Sequence, residues 1–159
     1  IISPPGFGKT TLLKDIIKKI SNGIPEFNFK GVTCGVVDER GELSATYKGI
    51  SQNDLGIRTD VIDNIPKALG MKMLIRSMSP KVIIADEIGK KEDVDAIEYA
   101  VTSGVKGIFT AHGSDLEQIE HNPILNQLII NGYIEKVLAM DKQRNVHLLY
   151  EKQSKRKVS

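Results

Sequence analysis

Tryptophan is absent, aromatics make up 5% of 159 residues, cysteine occurs once and the formal net charge is only +2. Each shortage removes a class of protein. A single cysteine, Cys34, excludes an internal disulfide and fits a reducing compartment. So small a net charge gives no argument for a nucleic-acid or membrane-surface binder, and with few aromatics it argues against nucleic acid. No apolar run approaches the ~20 residues a helix needs to cross a bilayer. What is left, 40% hydrophobic and 26% charged, is the composition of one globular domain with a core of its own. The chain opens inside a strand and without Met, and two residues are few for a central strand, so more protein upstream is expected.

The glycines, by contrast, are placed to a purpose. Ser3-Pro4-Pro5-Gly6-Phe7-Gly8-Lys9-Thr10 fits the P-loop pattern G-x-x-x-x-G-K-S/T, with Ser3 in the first glycine slot. Ile1-Ile2 reads as the end of a strand, and Thr10-Thr11-Leu12-Leu13 as the opening of a helix. Glycine lets backbone N–H groups turn inward toward a phosphate, and the helix N-terminus adds partial positive charge. Pro5, Gly6, Phe7, Gly8, Lys9, Thr10 and Thr11 are therefore candidate nucleotide-binding residues. Lys9 would reach the β- and γ-phosphates, and the Thr10 hydroxyl would ligate Mg²⁺.

A second stretch completes the chemistry. Val82-Ile83-Ile84-Ala85-Asp86-Glu87 is a buried strand ending in two acids, a Walker B element. Asp86 would hold the Mg²⁺ hydration shell and Glu87 would orient the attacking water. A strand at 32–37 ends in Asp38-Glu39-Arg40-Gly41-Glu42, charges at the edge where open parallel sheets bind ligands. A strand over 106–113 ends in Thr110-Ala111-His112, which would lie beside the P-loop if one extra strand separates the Walker A and B strands.

Periodicity supplies the rest. Helices are expected at 9–22, with Leu12, Leu13, Ile16, Ile17 and Ile20 on one face, at 66–79, with Leu69, Met73, Leu74 and Met78 inward, and at 92–103, with Val94, Ile97 and Val101 inward. Ser114 and Glu117 suggest a capping box, and Asn122-Pro123 starts another helix. The segment 44–63 reads as a long loop or a loop with a small hairpin. Two strands at 134–140 and 146–150 read as a hairpin at the sheet edge, and 152–159 as a basic, disordered tail. The domain therefore spans 1–151, an α/β fold with a mostly parallel sheet flanked by helices.

The P-loop run, Val36-Val37-Asp38-Glu39-Arg40-Gly41-Glu42, 70–80, Ala85-Asp86-Glu87-Ile88-Gly89 and Thr110-Ala111-His112-Gly113 together resemble the stage III sporulation protein AA family. That family is similar to the motor ATPases of type II and type IV secretion. The resemblance implies a RecA-like core, Mg²⁺-dependent ATP hydrolysis and a homohexameric ring. It implies an acidic box at Asp38, Glu39 and Glu42, and a histidine box at His112 acting with Lys9 and Glu87 in catalysis. A cytoplasmic location follows, peripheral to a membrane on the mother-cell side of a channel to the forespore, with membrane proteins as partners, no membrane insertion and no nucleic acid. An arginine finger from a neighbouring subunit could be Arg40, Arg58 or Arg76. Two rivals stay open: a nucleic-acid-dependent motor on the same core, and a nucleotide-gated ring component with negligible turnover.

Overall fold

A computed structural model describes residues 1–153. Its strands are β1 (Ile2–Ser3), β2 (Cys34–Asp38), β3 (Thr59–Asp63), β4 (Val82–Ala85), β5 (Lys106–Phe109), β6 (Ala111–His112), β7 (Lys136–Met140) and β8 (Val146–Glu151). They form two hydrogen-bonded sheets, ordered β3-β2-β4-β5 and β6-β1-β7-β8. β5 continues into β6 through Thr110, so the two sheets share one strand. The Ile1 amine donates to the Phe109 carbonyl at 2.7 Å and Ala111 N–H to the Ile1 carbonyl at 3.0 Å. Every pairing is parallel except that of β7 with β8. One strand thus separates β4 from β1, the arrangement that a Walker A–Walker B pair with an inserted strand requires.

Five helices flank the sheet among the described residues: α1 (Lys9–Asn22), α2 (Lys67–Met78), α3 (Lys91–Thr102), α4 (Leu116–His121) and α5 (Pro123–Ile130). The central strands β1, β2 and β4 are buried, as crossover helices demand of a parallel sheet. Their side chains alternate between two cores. Cys34, Val36 and Ile84 pack with Leu13 and Ile17 of α1 and with Leu43 and Leu55 of the following loop. Val37, Ile83 and Ala85 pack on the other face with α2, α3 and α5.

Five local expectations change. The end of the segment 44–63 is not loop: Thr59–Asp63 pairs in parallel with β2 along its whole length. It is an edge strand, and polar residues at Thr59, Asp60 and Asp63 are tolerated where one side of the ladder is free. A bridge between Tyr47 and Ile50 supplies the small hairpin. α2 is rotated in part from its expected face: Leu74 is buried and Met78 packs on the core as expected, but Leu69 and Met73 are exposed, and Gly70, Met71 and Ile75 are buried instead. The cause is Gly70, where a Cβ would lie 2.6 Å from Val37 Cγ1, so the helix closes on the sheet along its glycine. Val101 is likewise exposed, and α3 turns Ala96, Ile97 and Ala100 inward instead. The α4 cap is Asp115, not Ser114: its carboxylate accepts from Gln118 N–H at 2.9 Å, while Gln118 Oε1 accepts from Ser114 N–H at 3.1 Å. Of the expected disordered tail at 152–159, Lys152 is instead held, its N–H donating to the Glu135 carbonyl at 2.8 Å and its Nζ to the Gly132 carbonyl at 2.9 Å, and 154–159 lie outside the described residues.

Candidate nucleotide site at the carboxyl edge of the sheet

The P-loop leaves β1 at the sheet edge and turns directly into α1. Ser3, in the slot usually held by glycine, is the last residue of β1 and has no positive φ, so a Cβ is no obstacle there. Gly8 is different. It caps α1 at φ 94°, a left-handed conformation that glycine adopts at no steric cost. Lys9 is buried; its Nζ donates to the Ser3 carbonyl at 3.4 Å and lies 3.5 Å from His112 Nδ1. Burial holds its ammonium below the ordinary lysine range, against the opposing pull of Asp86 and Glu87. Pro5, Gly6 and Thr11 are exposed, and Phe7 is half-buried beside them.

The structure brings β4 to the same place. Thr10 Oγ1 donates to Asp86 Oδ2 at 3.1 Å. One hydroxyl and one carboxylate are a donor set of the kind Mg²⁺ takes, since that ion keeps several waters and few protein ligands. Glu87 follows at φ 52°, an uncommon conformation for a residue with a Cβ, costing on the order of 1–3 kcal/mol. Its N–H donates to Thr110 Oγ1 at 2.8 Å and to Asp86 Oδ1 at 3.1 Å. The Thr110 hydroxyl in turn donates to Asp86 Oδ1. Glu87's carboxylate meets Arg40 Nη1 at 2.5 Å and His112 Nε2 at 3.4 Å. His112 therefore stands between Lys9 and Glu87, placed there by the register that pairs it with Ser3.

The acids after β2 divide their tasks. Asp38 is buried and accepts from Ser44 Oγ at 2.6 Å, Ser44 N–H at 2.7 Å and Leu43 N–H at 3.2 Å, so it knits the following loop. Glu39 accepts from Lys67 Nζ at 2.6 Å and lies 3.5 Å from Lys90 Nζ. The Lys67 hydrogen bond holds its carboxyl below the usual range despite partial desolvation. Glu42 is exposed, yet with Asp38, Glu39, Arg40, Lys67, Asp86 and Glu87 it lines one small pocket of about 20 Å³. A far larger cavity, about 610 Å³, opens among Ile97, Phe109, Leu128 and Val137 and touches no P-loop glycine or lysine.

Of the three arginines singled out by sequence, only Arg40 reaches this edge. Arg58 donates to the Ser21 carbonyl at 2.9 Å, at the far end of the 14-residue α1, about 20 Å of helix from Lys9. Arg76 sits in the last turn of α2, its guanidinium 5.8 Å from the Tyr99 ring centre. Two residues here carry no recognisable sequence signal of their own, buried Lys67 in the first turn of α2 and Arg144 in the β7–β8 turn, and the Thr110-Ala111-His112 run names Thr110 without the part its hydroxyl plays. Tertiary packing alone puts Lys67 and Arg144 in the site.

Comparison with known proteins adds the lineage. The profile of the family described as "Sporulation stage III, protein AA" matches residues 1–157. The chain is 41% identical over 155 residues to stage III sporulation protein AA of Bacillus subtilis, covering 96% of this chain and 50% of that protein. It thus spans about half the length of that relative. Among solved structures, the Legionella pneumophila ATPase DotB superposes with a TM-score of 0.58 at 18% identity, over 92% of this chain and 43% of that one. The VirB11 ATPase of the Brucella suis type IV secretion system, solved with sulphate, gives 0.57 at 19%, over 94% and 46%. At such identities the likeness shows the fold alone, the RecA-like P-loop fold.

Proposed function

From the premise that the chain belongs to the sporulation stage III protein AA family, we propose that it is the RecA-like ATPase domain of a Mg²⁺-dependent ATP hydrolase. The observation that carries this reading is the convergence of Lys9, Thr10, Asp86, Glu87 and His112 on one sheet edge. Lys9 would exchange the Ser3 carbonyl for phosphate oxygens, and the N–H groups from Pro5 to Thr11 would take the rest of the negative charge. Thr10 and Asp86 would hold Mg²⁺, which neutralises charge on the phosphates when bound.

Glu87 would orient the attacking water once its carboxylate is freed from Arg40. Thr110 fixes the backbone of Glu87, so the carboxylate has a defined aim. His112, within reach of both Lys9 and Glu87, would respond to the presence or loss of the γ-phosphate. Asp38, Glu39 and Glu42 would carry that signal toward a subunit interface. Arg40, Arg58 and Arg76 stay in this proposal as fingers for a neighbouring subunit, which a homohexameric ring would supply. The domain is taken to end at 151.

The biological setting follows the family and the secretion ATPases that share the fold. We assign the domain to energising or assembling a sporulation channel between mother cell and forespore, from the mother-cell cytoplasm, beside membrane proteins. No helix among the described residues is long and apolar enough to cross a membrane. The test is Mg²⁺-ATP hydrolysis against protein concentration, with Glu87→Gln as the blank. Specific activity should rise with concentration and fall by at least ~10²-fold in Glu87→Gln, which still binds ATP. Wild-type turnover in Glu87→Gln would sink the assignment of the water-orienting base.

A further inference from the structure

The turn between β7 and β8 stands over the P-loop. β7 pairs in parallel with β1 through Ala139 and Ile2, so Met140 and the turn after it emerge at the same sheet edge as Gly6 and Gly8. Asp141 builds this turn. Its N–H donates to the Asn145 carbonyl at 3.0 Å, and its carbonyl accepts from Arg144 N–H at 3.0 Å. Its carboxylate accepts from Asn145 N–H at 2.8 Å, His147 Nε2 at 2.9 Å and Asn145 Nδ2 at 3.1 Å. That carboxylate is committed to the turn.

Arg144 itself lies at φ 66°, a position where glycine or asparagine costs less. Its guanidinium covers Gly8: a Cβ there would lie 3.6 Å from Arg144 Nε. The other arginines of the described residues are engaged, Arg40 with Glu87, Arg58 with the Ser21 carbonyl and Arg76 over Tyr99. Arg144 has no acidic or hydrogen-bonding partner for its side chain among the described residues. An exposed guanidinium lying over Gly8 adds positive charge to an α1 N-terminus that is already partially positive. An anion offsets that charge, and a planar fork of N–H donors suits phosphate oxygens better than a point charge does.

We propose that Arg144 is a nucleotide-binding residue in cis, contacting the phosphate chain from the side of Gly8 while Lys9 holds it from within the loop. This inference rests on the ATPase reading above and adds a ligand contact from an element that carries no part of the P-loop or Walker B motifs.

The test is titration of the wild-type chain, Arg144→Ala, Arg144→Lys and Lys142→Ala with fluorescent analogues of ADP and of non-hydrolysable ATP. Circular dichroism melting would be followed on each. Arg144→Ala should raise Kd about tenfold for at least one nucleotide at unchanged Tm, with partial recovery in Arg144→Lys and none of the loss in Lys142→Ala. Unchanged affinity of Arg144→Ala for both nucleotides overturns the proposal and leaves the ATPase reading standing. An equal loss in Lys142→Ala also overturns it, since any charge on the turn would then serve. A wild-type chain that binds neither nucleotide overturns this inference and the ATPase reading together.

Discussion

Thr110 shows how much a single hydroxyl can organise. It is fully buried, it donates to Asp86, and it accepts from the backbone of Glu87 at its unusual φ. Thr110→Val keeps the volume and removes the donor and acceptor. Stability should fall by about 1–2 kcal/mol, read from urea unfolding. Turnover should fall further than nucleotide affinity, because Asp86 and Glu87 lose their aim while Lys9 keeps the phosphates. An unaffected kcat would show that Thr110 serves packing only. Lys9, Thr10, Asp86 and Glu87 were legible in the sequence because phosphate binding and Mg²⁺ ligation need those residue types at fixed spacings from a glycine loop or a strand end. Lys67 and Arg144 were not, because each enters the site from a different element through packing, and nothing about an arginine in a hairpin announces it; the Thr110-Ala111-His112 run marks a strand end but not the part its threonine hydroxyl plays.

Elements obey the same division. α1 appears at its expected bounds, since Gly8 and Gly23 mark both ends and Leu13 and Ile17 recur on one face. β4 was legible because an apolar, β-branched run buried on both sides has few alternatives. β3 was not, because an edge strand with three polar residues of five resembles a loop. The face of α2 was partly misjudged because hydropathy gives glycine no weight, whereas close approach of backbone to sheet does. Gly70→Ala tests this. Alanine gains up to about 1 kcal/mol of helix propensity, but a Cβ 2.6 Å from Val37 Cγ1 forces a shift costing about 1–3 kcal/mol. The second effect wins, so Tm should drop by a few degrees, whereas an increase would mean that α2 can lift off the sheet freely.

For the whole molecule, any ligand that binds only the folded state must stabilise it by mass action. At a hundredfold excess over Kd, Mg²⁺-ADP should add about 2.7 kcal/mol, or about 5–10 °C in Tm for a chain of this size. Lys9→Ala should abolish the shift without lowering the ligand-free Tm by more than a few degrees. A Tm indifferent to nucleotide in the wild-type chain would leave the P-loop an empty turn.

Among the described residues, the two sheets meet in the hydrogen-bond ladder only along the strand from Lys106 to His112. The P-loop belongs to the sheet on one side of that seam, and Asp86 with Glu87 to the sheet on the other. A triphosphate gripped by Lys9 and facing Glu87 would therefore act as a stitch across the seam. Cleaving it would cut that stitch and leave the Thr10–Asp86 hydrogen bond and the common core to hold the two sides.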